Sequence, residues 1–115
     1  MTKRRELIKE YKKSIQPMGI VQVKNLRNNR VYLTASANTA GTINSIRFQL
    51  KMGNFLPSAE LAKDWKEQGE EYFVVEVLDV LKPVDDPAYD YRDDLKALET
   101  MWLDRLKPFG DRGYH

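Results

Sequence analysis

Two short β-branched runs joined by an asparagine-rich turn limit the folds open to this chain more than any other feature. Gly19 to Lys24 brings Ile20, Val21 and Val23 into an extended pattern, and Val31, Tyr32 and Leu33 resume it beyond the turn Asn25–Asn29. That arrangement predicts a β-hairpin. A hairpin alone is marginal in water. Tyr72 to Leu81, rich in Val and aromatic residues, is the best candidate for a third strand.

Helical signals fill the intervals. Residues 3–15 place Leu7, Ile8, Tyr11 and Ile15 at helical spacing among Lys3, Arg4, Arg5, Lys9, Lys12 and Lys13, and Pro17 stops the run. Thr34 to Gly41 is small and polar and is expected to be a loop. Ile43, Ile46 and Leu50 recur at three and four residues, with Gly53 closing that helix. Pro57-Ser58 opens another, carrying Leu61 and Trp65 and ending at Gly69. Pro83 to Asp94 reads as an acidic loop, a last helix runs from Tyr91 or Asp93 to Leu106, and Gly110 to His115 form a polar tail. The expected architecture is α+β: a small three-stranded, mostly antiparallel sheet flanked by helices. A basic N-terminal helix (1–17) precedes a single domain (18–115).

Composition removes several chemistries. With no Cys and one His in 115 residues, disulfide scaffolds, thiolate zinc sites, cysteine nucleophiles and Ser-His-Asp catalysis lack their parts. No apolar run is long enough to span a bilayer, and no leader-like segment follows Met1, so a cytoplasmic location is expected. The net charge of +2 conceals a division: residues 1–57 carry 11 basic and 2 acidic side chains, and 58–115 carry 8 and 15. Such asymmetry suits a polyanion-facing side.

Four features bear on chemistry. On the last helix, at about 100° per residue, Glu99 falls inside the stripe of Leu95, Leu98, Trp102 and Leu106. A carboxylate there is paired, protonated, held for a cation, or carried on a stem at the stripe's edge with its head in water. Arg47 flanks the stripe of Ile46 and Leu50, where it either reaches a ligand or snorkels. Tyr32 faces away from Val31 and Leu33, either packed or presenting its hydroxyl. Lys24, Arg27 and Arg30 cluster at the hairpin turn, as a phosphate-binding group or an ordinary polar turn, and the acidic run Asp85–Asp94 lacks the spacing of a calcium loop.

Gly19-Ile20-Val21 and Tyr32-Leu33-Thr34 resemble a degenerate form of the two triplets that define the GIY-YIG nucleases. The similarity continues through Asn44…Arg47-Phe48-Gln49-Leu50-Lys51-Met52-Gly53, Glu60-Leu61…Phe73-Val74-Val75-Glu76, and Leu98-Glu99…Trp102…Gly113-Tyr114-His115. It covers Met18 to the end. Members of that family, among them homing endonucleases and restriction enzymes, hydrolyse DNA phosphodiesters with one divalent metal. The resemblance implies a first-triplet tyrosine as general base, the second-triplet tyrosine beside it, a helix arginine on the phosphate, and a last-helix glutamate holding Mg²⁺ or Mn²⁺.

On that basis Tyr32, Arg47 and Glu99 are the candidate catalytic residues, Glu99 the metal ligand, and Lys24, Arg27, Arg30 and Lys51 the candidate nucleic-acid contacts. The pattern has gaps. Val21 stands where the base tyrosine is expected, Thr34 where the second-triplet glycine is, and Thr42 and Ser45 where the arginine is. The closing Gly-Tyr-Asn is Gly113-Tyr114-His115. The expectation is a divergent, bacterial-type DNA-binding domain with weak or lost nuclease activity. The rivals are an active metal-dependent endonuclease and a protein-interaction domain on the same scaffold.

Overall fold

The computed structural model describes residues 17–86 and 88–115; the basic helix expected over 3–15 lies outside them. Strands β1 (Met18–Asn25), β2 (Val31–Ser36) and β3 (Phe73–Leu81) form one antiparallel sheet in the order β2-β1-β3. Helices α1 (Thr39–Lys51) and α2 (Ala59–Gln68) follow β2, and α3 (Arg92–Leu106) follows β3.

Strand alternation assigns the two faces of this sheet. Val21 and Val23 of β1 pair with Thr34 and Tyr32 of β2, so these four side chains share one face. That face is covered by Ile46 and Leu50 of α1 and Leu61 and Trp65 of α2, with Phe55 between the helices. Ile20 and Leu33 point the other way, onto Leu98, Trp102 and Leu106 of α3. The result is that β1 is buried on both sides, although the sheet is antiparallel, while β3 keeps Glu76, Val77 and Val80 exposed.

A bulge adjusts this pattern. Ile20 pairs with Asp79 but Val21 with Val77, so β3 carries an extra residue there. Leu78 consequently joins Asp79 on the α3 side, where the Trp102 indole N–H donates to the Asp79 carboxylate at 2.8 Å. At the same place β3 runs so close to β1 that a Cβ on Gly19 would lie 1.9 Å from the Asp79 carbonyl oxygen.

Helix ends follow local chemistry. Ser58 caps α2 by accepting from the Leu61 amide, and Gly69 ends it with φ of 96°. Asn38 caps α1 by accepting from the Gly41 amide. The sequence expectation of a loop over Thr34–Gly41 is therefore corrected at both ends. β2 extends to Ser36, and α1 begins at Thr39.

Leu61 has no exposed surface, whereas Leu56, five residues earlier, is 88% exposed. Leu61→Ala is expected to lower the unfolding free energy by about 3 kcal/mol. Leu56→Ala is expected to change it by less than about 0.5 kcal/mol. Urea titration of both variants checks the contrast.

Candidate phosphodiester site at the edge of β2

Strand β2 is an edge strand, so one row of its backbone groups has no strand partner. The chain fills that row with Tyr114, His115 and one side chain of α3. The Tyr114 amide donates to the Val31 carbonyl at 3.0 Å. The Leu33 amide donates to His115 Nε2 at 2.9 Å, and the Ala35 amide donates to Glu99 Oε2 at 3.0 Å. Glu99 is thereby drawn out of the α3 stripe and placed beside β2. Of the alternatives open from periodicity, the structure gives a carboxylate paired to a backbone amide.

The closing tripeptide reaches the strand because it is anchored on both sides. Gly113 packs so tightly that a Cβ would sit 2.0 Å from the Pro108 carbonyl oxygen. Tyr114 is buried, and its hydroxyl donates to Asp64 Oδ2 at 2.8 Å while accepting from the fully buried Asn25 at 3.0 Å. Arg30 lies over the Tyr114 ring at 4.3 Å, donates twice to the Gly113 carbonyl, and pairs with Glu60 and Asp64. The tail expected to be merely polar is a built-in part of the domain.

Tyr32, Glu99 and His115 meet at this edge. The His115 imidazole stacks on Tyr32, with centroids 4.9 Å apart and planes within 7°. Tyr32 also meets the Phe55 ring edge-on at 5.3 Å. Burial raises the Tyr32 phenol above its ordinary range; Thr34 works against the shift and the nearby Glu99 charge adds to it. Burial lowers the His115 imidazole, and Glu99 opposes that shift. Both groups therefore rest neutral near pH 7.

The remaining predicted residues are distributed differently. Arg47 lies on the exposed face of α1 and makes no hydrogen bond or ion pair among the described residues. Lys24 is half-buried on β1, and Arg27 is exposed in the turn with its guanidinium 4.9 Å from the Tyr72 ring. Lys51 is exposed at the end of α1, 3.9 Å from Glu70. Arg30 is occupied by the tail and by two carboxylates. Val21, at the position of the expected base, is wholly buried against Ile46 and Leu50. His115 was missed as a candidate; its signal was its place at the end of the Gly113-Tyr114-His115 block.

Solved structures share this architecture. The chain superposes on the catalytic domain of the homing endonuclease I-TevI with a TM-score of 0.66 at 24% identity, over 84% of this chain and 95% of that one. A glutamate-to-alanine mutant of the same catalytic domain gives a TM-score of 0.69 at 22% identity, over 87% of this chain and 93% of that one. The fold is GIY-YIG-like. No family pattern matches the sequence, and no curated protein matches it.

Glu99 is the carboxylate that would hold a cation at this edge, its second oxygen making no hydrogen bond among the described residues. Among the described residues, no group of three or more His, Asp or Glu side chains could enclose a metal ion. One carboxylate suits a hydrated Mg²⁺ or Mn²⁺ that completes its shell with water and substrate oxygens. Ala35 holds one oxygen of Glu99 and fixes the direction of the other. The residues present fit a cation bound jointly with a phosphate better than one bound by the protein alone.

The anchoring of the tail has a pH signature. Burial pushes the Tyr114 hydroxyl up to about 12, the Asn25 bond opposes the rise, and Asp64 adds to it. An unfolded tyrosine ionises near 10, so the folded state holds the proton more tightly. Its contribution to stability is complete below about pH 10 and is lost as pH rises through about 12. Thermal melts in metal-free buffer are expected to fall across that window in the wild type. They are expected to fall less steeply in Tyr114→Phe.

Proposed function

We propose that this chain is a nucleic-acid-binding domain of GIY-YIG-like fold whose β2 edge receives a phosphodiester and cleaves it weakly. One observation carries the reading. Tyr32, from the sheet, and Glu99, from α3, converge on the same stretch of β2, with Glu99 tied to the Ala35 amide at 3.0 Å. Phosphate chemistry needs a hard-cation ligand and a polar group beside it, roles that Glu99 and Tyr32 would fill. The two positions to which the resemblance gives tyrosines offer no group to take the proton from water. Val21 is apolar and buried, and Tyr32 is held as the phenol by its burial. Loss of a general base typically slows such reactions by about 10²- to 10⁴-fold.

A bound Mg²⁺ or Mn²⁺ would neutralise charge on the phosphate, and Glu99 is the residue that would hold it. The backbone of the nucleic acid would then run past the basic side chains that the tail does not occupy: Lys24, Arg27, Arg47 and Lys51, of which Lys51 would exchange its Glu70 contact for phosphate. Arg30 is excluded from this set because the tail, Glu60 and Asp64 occupy it.

Two measurements test the reading. Affinity for a DNA duplex is expected to fall steeply with salt, and each of Lys24→Ala, Arg27→Ala and Arg47→Ala is expected to reduce the slope by about one. Arg30→Ala is expected to lower the unfolding midpoint without changing that slope. Plasmid nicking with Mn²⁺ is expected to be slow and to vanish in Glu99→Ala. Equal nicking by both proteins marks a contaminant, and rapid nicking by the wild type favours the fully active enzyme. Absence of DNA binding at low salt overturns the proposal.

A second reading has its own support. Met52 and Leu56 are exposed around a groove of about 850 Å³ between α2 and the loop that precedes it, and Phe48 is exposed one turn before Met52. An apolar patch of that kind suits protein contacts. Retention of a protein partner together with failure to bind DNA would favour it.

A further inference from the structure

His115 is the chain's single imidazole, and it is held from two directions. Its ring lies flat against Tyr32, and its Nε2 accepts the Leu33 amide at 2.9 Å. The second contact determines what the ring can do. A ring nitrogen that accepts a hydrogen bond carries its lone pair, so the neutral imidazole has its proton on Nδ1. No group among the described residues bonds to Nδ1, and the residue is exposed to solvent. A fixed N–H donor with no intramolecular partner among the described residues therefore stands at the β2 edge beside Tyr32.

We propose that His115 is a ligand-binding residue of this site, donating from Nδ1 to a non-bridging oxygen of a phosphodiester bound beside Tyr32 and Glu99. The inference rests on the phosphodiester reading of the site and adds a named contact to it. The alternatives for the ring conflict with the backbone. Accepting a proton from water, or ligating a cation, requires a lone pair on Nδ1. In the neutral ring that moves the proton to Nε2, where two N–H groups would oppose each other at Leu33. The pairing that seals the edge strand thus selects a donor.

The stacking contact favours the same role. Tyr32 fixes the plane of the ring, and Leu33 fixes its rotation within that plane. A donor so constrained loses little freedom on binding, which is where an interaction with a charged acceptor gains most. The resemblance puts an asparagine at this position, whose side-chain amide also offers an N–H. Histidine in this tautomer retains that donor while filling the space over Tyr32.

Long-range ¹H–¹⁵N spectra of the full chain near neutral pH test the tautomer directly and need no ligand. The expected result is a neutral ring protonated on Nδ1; protonation on Nε2 overturns the proposal. DNA-duplex binding by fluorescence anisotropy, without divalent metal, then tests the contact. His115→Asn, which keeps a donor, is expected to bind within about threefold of the wild type. His115→Phe, which keeps the stack and removes the donor, is expected to bind about tenfold more weakly. Undiminished binding by His115→Phe overturns the donor role while leaving the DNA-binding reading intact. A wild type that carries its proton on Nδ1 but binds no DNA removes the reading itself, and the ligand role with it.

Discussion

An edge strand must satisfy its outer backbone groups, and in this protein the solution to that constraint builds the site. Tyr114, His115 and Glu99 each take one group of β2, at Val31, Leu33 and Ala35 in turn. An exposed edge invites pairing with another chain. Here it is closed by side chains and one backbone amide instead of a fourth strand. Side chains used in this way remain beside solvent with polar atoms to spare. At Glu99 and His115 the groups that satisfy the strand also stand at the candidate site.

The arrangement depends on a second layer of support. Arg30, Asn25 and Asp64 hold the tail in place, and the tail in turn holds His115 over Tyr32. A charge that looked suited to phosphate is thus used internally, where it neutralises Asp64 and Glu60 near the buried Tyr114. Arginine serves this purpose well because its planar fork can donate to a carbonyl and a carboxylate together while covering an aromatic ring. The basic excess of the N-terminal half is correspondingly smaller at the surface than the charge count suggests.

Much of the fold was legible because its signals were local. The hairpin showed in β-branched runs around Asn25–Asn29, and α2 in the Ser58 cap and Gly69 stop. The third strand showed in the density of Val and aromatic residues. Asn38 was equally local but was overlooked, because a cap inside a small polar stretch resembles a loop until its amide partner is known. Glu99 was singled out by its place on the α3 stripe. What periodicity could not supply was its partner, since the Ala35 amide is brought near only by the packing of α3 on the sheet. The role of Arg30 and the burial of Tyr114 were hidden for the same reason: both depend on contacts more than 80 residues apart in the chain. The single histidine, first noted for the catalytic triads it could not form, gained meaning only from its contact with Tyr32.

The central claim is that a divalent cation and a phosphodiester meet at the β2 edge, and paramagnetic broadening by Mn²⁺ in the presence of a short DNA duplex tests it most directly. The account predicts that amide signals of Thr34 and Ala35 and the ring signals of His115 broaden first, and that Glu99→Ala abolishes the effect. Broadening confined to the acidic loop from Asp85 to Asp94, with β2 unaffected, would contradict it.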